Sequence, residues 1–424
     1  MPSATYRTLY RLIETLPVVS SHEHHRPDDF QSQLTLDLIV EKSYVGWRGV
    51  LPGTDPSSRA NFLAQCRHSS YYVWLEKGLQ RVYGFSEKIT PDNWDEISAQ
   101  ISRMHATPGA HIDILRGIGR YRRAVQDTYW AYGSDIGHPE IFAPTMRTDM
   151  FVRCFHPDVP DHDDNNPFAH YPDAPRNNFA DYLDFLQVLF TRWRNAGAVA
   201  MKSASAYERS LAYGVGDRAA AAAVFGRPPE TVSAQARAAY DDFMFNWLCE
   251  LASELDVPFQ IHTGLGQLAG SRPLLFEPTV ARYPQVHFVL FHMGYPWYPE
   301  IAGLAHNYGN VSMDMVWAPI ISPSAAVAAL HQYIEVARSS DLIAWGSDTW
   351  TSEDAVGALL AWQYVVATVL AQKVDDGYFD MAEAEVLAHK LMYRNAARIY
   401  GFDASQGSVK IQLPADVIPA KAGI

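Results

Sequence analysis

The segment Ser20-Ser-His-Glu-His-His25 closes a short apolar run and carries two imidazoles two residues apart. In an extended strand, residues i and i+2 point to the same side, so His22 and His24 project together and can share one divalent ion. A lone His-x-His pair is commonplace. Here, four further polar residues close apolar runs in the same way: Lys202 after Val-Ala-Met, His262 after Pro-Phe-Gln-Ile, His292 after Phe-Val-Leu-Phe, and Asp348 just after Ile-Ala-Trp-Gly-Ser. One such histidine is ordinarily a hydrogen-bonded core residue, but polar groups arriving from five strands at one face are much harder to explain that way. A set so rich in histidine suits zinc, with manganese and iron as alternatives.

The elements that would position these residues are short apolar runs at residues 17–21, 121–127, 150–155, 198–202, 257–262, 286–292, 310–315 and 342–347. Helix-like stretches at 182–194, 234–255, 299–308 and 324–338 lie between the later ones. Continuous rather than alternating hydrophobicity suits parallel strands buried on both faces, and strands alternating with helices suggest repeated βα units. Eight such runs predict an α/β fold, a (β/α)8 TIM barrel, although the periodicity alone also allows an open doubly wound sheet. In a barrel the polar residues named above stand at the C-terminal ends of strands, the face on which active sites are built. Residues 26–120 are too many for one crossover. Helical patterns at 34–42, 58–83 and 93–105 predict a mostly helical insertion between strands 1 and 2, covering one mouth of the barrel. Residues 158–178, rich in Pro, Asp, Asn and His, predict a long loop. The chain divides into a single barrel domain over 1–402 and a peripheral C-terminal tail over 403–424.

Composition narrows the partners. The 424 residues include 34 Lys+Arg and 47 Asp+Glu, a net charge of −13, with 48% hydrophobic and 19% charged residues. These proportions describe a soluble globular protein with a large core. The acidic balance speaks against nucleic acid and against an anionic membrane surface. No stretch approaches the roughly 20 apolar residues of a bilayer span, and residues 1–16 do not read as a signal peptide. Cys66, Cys154 and Cys249 form no Cys-x-x-Cys pair, which excludes a disulfide framework and a thiolate zinc cluster and fits a reducing, cytoplasmic compartment. A homo-oligomer is compatible with a barrel of this size. Of the sixteen histidines, the twelve outside the set above, His111 and His138 among them, carry no spacing signal.

Several residues follow the predicted strand ends closely enough to face a small-molecule substrate. They are Arg26 after strand 1, Trp130 after strand 2, Tyr207 and Arg209 after strand 4, Trp297 after strand 6 and Trp317 after strand 7. His156 follows the run assigned to strand 3, and Trp350 follows strand 8. Together they describe a pocket with apolar walls. Arg26 and Arg209 are candidate clamps for a carboxylate or phosphate, although each has the alternative of a surface ion pair.

The order His-x-His, Lys, His, His, Asp along strands 1, 4, 5, 6 and 8 resembles the amidohydrolase superfamily, in particular the two-metal subtype whose strand-4 lysine is carboxylated. About residues 195–402 resemble the amidohydrolase-2 group and the amidohydrolase domain of FluG-like proteins. The matching segments are Lys202-Ser-Ala-Ser-Ala-Tyr207, Ile261-His-Thr-Gly264, Leu290-Phe-His-Met-Gly-Tyr-Pro296, Gly346-Ser-Asp348 and Asn395-Ala-Ala-Arg-Ile-Tyr400. The resemblance implies that His22, His24 and Asp348 hold one metal, that His262 and His292 hold the other, and that Lys202, N-carboxylated, bridges two zinc ions. It further implies a metal-dependent hydrolase cleaving an amide, ester or lactone of a small molecule, with hydroxide drawn from a shared metal-bound water and Asp348 as the proton acceptor. Relatives that decarboxylate aromatic acids or isomerise uronates generally use one metal and lack the bridging lysine, so Lys202 separates the two readings. A third reading is a scaffold or signalling protein that keeps the barrel without turnover, which the intact ligand set disfavours.

Overall fold

Eight short parallel strands form one sheet in chain order: β1 (Val18–Glu23), β2 (Tyr121–Gln126), β3 (Phe142–Arg147), β4 (Ala200–Ser203), β5 (Phe259–Ile261), β6 (Phe288–Leu290), β7 (Val311–Asp314) and β8 (Ile343–Ala344). The structure is a computed structural model that describes residues 2–402, so the predicted tail, 403–424, lies outside the described residues. Each strand pairs in parallel with the next. The ring closes where Ser21 N–H donates to Trp345 O at 3.0 Å and Asp348 N–H donates to His22 O at 3.1 Å. Gly346 permits this approach, because a Cβ there would lie 2.5 Å from the backbone nitrogen of His22. The fold is the TIM barrel, with β1 and β3 buried at every residue as parallel strands covered on both faces must be. Val19, Val125, Ala200, Val289 and Ala344, one from each of five strands, cluster inside it with Ile399 and Tyr400 from the C-terminal end.

The third strand differs from expectation. Residues 150–155 belong mostly to a short helix, Asp149–Arg153, and β3 is the preceding segment Phe142–Arg147. A six-residue apolar run cannot be told from a buried helical turn by periodicity. Phe-Ala-Pro-Thr-Met-Arg, for its part, contains Pro144, which reads against an interior strand because proline has no N–H to give. In the barrel the Pro144 carbonyl still serves the ladder, accepting from Val199 N–H at 3.0 Å. The correction moves His156 away from any strand end and puts Arg147 at one.

Between β1 and β2 stand the helices Asp28–Gln31, Leu36–Lys42, Pro56–Cys66, Ser70–Tyr83, Trp94–His105 and Ala110–Gly117. The single helical pattern over 58–83 is broken in two at Ser69, whose hydroxyl accepts from Tyr72 N–H and starts a new helix. These helices share a core of their own, which includes Leu36, Ile39, Phe62, Leu75, Leu79, Trp94, Ile97 and Ile101. They dock on the barrel through the helix Ser352–Asp375. Gly78 and Gly357 face each other across that contact, and a Cβ on either would meet the other helix's backbone at 2.4 Å.

Ser352–Asp375 also corrects the expectation that no stretch is long and apolar enough to span a bilayer: within its 24 residues lies an 18-residue window of mean hydropathy 1.5, which meets that requirement. Its apolar surface is spent inside the protein, with 83% of the window buried. It packs between Ser70–Tyr83 and the N-terminal helix Ala4–Ile13. The predicted loop over 158–178 contains one short helix, Pro167–His170, capped by Asn166.

Candidate metal centre

The ends of β1 and β8 bring the first set together. His22 is fully buried and its Nδ1 lies 3.1 Å from Gln260 Oε1. The Gln260 amide nitrogen donates to Ser21 O (3.0 Å) and to Tyr400 Oη (2.9 Å), so Oε1 is the accepting end and the His22 proton sits on Nδ1. His22 Nε2 is left with no hydrogen-bond partner, 3.6 Å from Asp127 Oδ2 and 3.7 Å from Asp348 Oδ1. His24 repeats the arrangement: Nδ1 donates to Asp127 O at 2.8 Å, and Nε2 points at Asp348 Oδ1, 3.2 Å away. One donor atom from each of His22, His24 and Asp348 lies within 4.8 Å of the others, the spacing a single divalent ion requires.

His262 and His292, past the ends of β5 and β6, form a second pair. His262 Nε2 faces Leu265 O at 2.6 Å and His292 Nδ1 faces Val316 O at 3.2 Å. A carbonyl can only accept, so these contacts put the protons on those outer nitrogens and leave His262 Nδ1 and His292 Nε2 as lone pairs, 2.9 Å apart. Two neutral imidazoles cannot satisfy both carbonyls and each other, since three hydrogen bonds would need three protons and they carry two. A shared cation removes the conflict. Histidines that bind metals ordinarily tie their other N–H to a carbonyl or carboxylate in this way.

Charge in the site is organised around Asp348. Its Oδ2 accepts from Tyr44 Oη at 2.7 Å. Burial alone would raise its carboxyl, but His24 and the other imidazoles hold it well below the usual carboxylate range. Asp348 in turn raises His24 against the opposing effect of burial. Burial, reinforced by the charge of Lys202, holds His22 well below its ordinary value, and burial brings His292 down to about 3. Burial also lowers Lys202, to about 8, which makes its neutral amine accessible. Its Nζ lies 4.2 Å from the centroid of the Phe291 ring, which His22 meets edge-on. No carboxylate among the described residues lies within ion-pair distance of it, and the charges of Asp348, Asp127 and Asp149 only partly offset the effect of burial. His292, Trp317 and Asp348 all have φ near +64° or +63°, a left-handed conformation that costs about 1–3 kcal/mol for a non-glycine residue and gathers at functional sites.

The predicted pocket residues divide. Trp317 packs edge-on against His292 at 5.2 Å and stacks on Tyr44 at 4.6 Å, and Tyr207 lies against His262 at 4.4 Å. Arg26 lies 3.7 Å over the Trp130 ring and reaches Tyr129 Oη at 3.4 Å, near His24. Arg209 instead turns to Asp242 at 2.7 Å and to Asp241, and Trp297 lies against Arg272 near the surface. His156 pairs with Asp158 in its loop.

Four residues at the site escape the sequence reading. Asp127, directly after β2, had a usable signal, because it ends the apolar run 121–127. Arg147 ends β3 and was hidden by the misplaced third strand. It reaches Asp149 at 2.5 Å, Asp127 at 2.6 Å and Asp163 at 2.8 Å. Gln260 looks like a strand filler, and Tyr44 is one aromatic among many in the insertion. Neither has a spacing signal.

The donor set therefore fits divalent metal: buried imidazoles with their outer protons tied down, their other nitrogens turned inward, and an ionised carboxylate beside them. Residues 231–402 match the family model described as Amidohydrolase. The chain is 31% identical over 149 residues to protein fluG of Emericella nidulans, a match that spans 34% of this chain and only 17% of that protein. It is 21% identical over 452 residues to the uronate isomerase of Caulobacter vibrioides, covering 94% of this chain and 92% of that enzyme. The solved uronate isomerase of Thermotoga maritima has the same fold, with a TM-score of 0.75 at 15% identity over 94% of this chain and 98% of that one.

Proposed function

We propose that the chain is a metal-dependent hydrolase of the amidohydrolase superfamily, cleaving an amide, ester or lactone bond of a small molecule; the match of residues 231–402 to the Amidohydrolase family model supports this reading. The observation that carries the proposal is the orientation of four histidines in two pairs, each with its outer nitrogen bound to an acceptor and its other nitrogen turned into the centre. His22, His24 and Asp348 would hold one ion and His262 and His292 a second, with zinc the best match to the donors and manganese or iron as alternatives. Lys202, as a carbamate, would bridge them; a buried amine without a carboxylate partner supports that role. When bound, such ions polarise a scissile carbonyl and make water acidic enough to attack near neutral pH.

The residues do the rest. Asp348, ionised and fixed by Tyr44, is the acceptor for the proton of the attacking water and returns it to the leaving group. Trp317, Tyr207 and Trp350 wall the centre with apolar surface and keep bulk water out. Arg26, held over Trp130, is the cation available to an anionic substituent of the substrate.

One observation favours a second reading, a single-metal isomerase acting on a uronate: the match to a uronate isomerase runs nearly the full length of both chains. The two are separated by assaying zinc- and manganese-loaded protein against lactones, esters and amides on one side and hexuronates on the other, with Lys202→Ala alongside. Hydrolysis that is lost in Lys202→Ala supports the proposal. Uronate isomerisation that survives the substitution replaces it with the second reading, and a protein that binds no metal and turns over neither panel is a scaffold.

A further inference from the structure

A second group of donors lies outside the barrel mouth, where the insertion begins and ends. Asp28 opens the first helix after β1, His111 is the second residue of the helix Ala110–Gly117, and His138 lies in the connection from β2 to β3. Asp28 Oδ1 is 2.7 Å from His138 Nε2 and 3.4 Å from His111 Nε2, and the three atoms lie within 4.8 Å of one another. The two imidazole rings are nearly perpendicular, with centroids 5.2 Å apart.

An Asp–His contact at 2.7 Å is by itself an ordinary hydrogen bond. His111 is what that explanation leaves out. Its side chain is only 2% exposed, and its Nε2, aimed at the same carboxylate oxygen, has no hydrogen-bond partner. A buried ring nitrogen without a partner carries a free-energy penalty that folded proteins rarely leave unrelieved. A tetrahedral ion with bonds of about 2.0–2.1 Å spaces its ligand atoms roughly 3.3 Å apart, close to the His111–Asp28 separation. Glu140 Oε1, 3.5 Å from His138 Nδ1, supplies the outer carboxylate that orients a ligating imidazole. Asp28 is half exposed, which leaves room for water to complete the coordination.

We propose that Asp28, His111 and His138 form a separate divalent metal site of the two-histidine, one-carboxylate type, suited to zinc or cobalt. The ion would be a clip. It joins the first helix of the insertion to its last and fastens both to the β2–β3 connection. Asp28 is two residues from Arg26, so the clip also fixes the segment that carries Arg26 away from β1.

The test uses the full-length protein equilibrated with excess Zn2+, dialysed at a fixed free-zinc level and analysed for metal per chain. Asp28→Asn and His138→Ala change partly exposed side chains and leave the fold intact, and His111→Ala changes the buried one. Each is expected to hold one equivalent less than the wild type while keeping whatever the barrel centre binds. The zinc-dependent rise in melting temperature is expected to shrink in the same three variants. If Asp28→Asn and His138→Ala bind as many equivalents as the wild type and melt with the same zinc dependence, there is no such site.

Discussion

Gln260 offers the clearest way to test how the centre is held. It is wholly buried on β5 and joins three elements: Oε1 accepts from His22 Nδ1, and its amide nitrogen donates to Ser21 O and Tyr400 Oη. Gln260→Leu keeps much of the volume and removes all three bonds. The His22 proton then has no acceptor at Nδ1 and can settle on Nε2, the nitrogen that faces Asp127 and Asp348, so the ring loses its ligand tautomer. Partners that orient ligating histidines contribute 10–100-fold in metal affinity as an order of magnitude, about 1.4–2.8 kcal/mol at 1.4 kcal/mol per tenfold. Buried groups left unpaired add a stability cost of about 1–3 kcal/mol each, so a cooperative thermal melt must accompany the measurement. In a competition titration of Zn2+ against a chromophoric chelator, the dissociation constant of one equivalent should rise by roughly 10–100-fold. Gln260→Glu keeps an acceptor opposite Nδ1 and should retain the affinity. A folded Gln260→Leu protein that binds zinc within twofold of the wild type would refute the argument that this glutamine sets the tautomer of His22.

Other perturbations follow from the same geometry. Asp348→Asn should keep the fold and lose roughly 10²–10⁴-fold in turnover, since it removes the proton acceptor; wild-type turnover with metal retained would take Asp348 out of the mechanism. Tyr44→Phe deletes the hydrogen bond to Asp348 Oδ2 and should lower kcat/KM by roughly tenfold or more with little change in melting temperature, a hydrogen bond to a charged group being worth about 1.5–3 kcal/mol. Arg147→Met leaves the carboxylates of Asp127, Asp149 and Asp163 without their shared cation and should destabilise the protein by about 3–5 kcal/mol in denaturant unfolding. Burial raises the Asp354 carboxyl to about 8. The folded state therefore binds a proton that the unfolded state releases above pH 4, and this contribution, full below about pH 4, is lost as pH rises through 8. Asp354→Asn lacks it, so the variant should gain on the wild type in melting temperature from pH 5 to pH 8; a constant difference would contradict the burial argument.

What the sequence makes legible here follows from how barrels are built. Parallel strands covered on both faces read as apolar runs, and a polar residue that stops such a run stands at the mouth. That is why the places of His22, His24, Lys202, His262, His292 and Asp348 at or just past strand ends can be read without a structure. The same rule would have found Asp127. It fails at β3, where Pro144 disguises a strand and the apolar segment after it folds as a helix, and Arg147 is lost with it. Tyr44 is illegible for a different reason. It reaches Asp348 from the insertion, across 304 residues of sequence separation, and no local pattern records a contact of that kind. The tautomers of the four histidines are likewise set by partners from other strands and loops, such as Gln260 and the carbonyls of Asp127, Leu265 and Val316.

The central claim is that the inward nitrogens of these histidines, with Asp348, hold metal. Anomalous diffraction from crystals of the zinc-loaded protein, collected on both sides of the zinc edge, tests it most directly. The expected result is a peak within bonding distance of His22 Nε2, His24 Nε2 and Asp348 Oδ1, and a second between His262 Nδ1 and His292 Nε2. Zinc-loaded crystals with no anomalous density at either position would contradict the account.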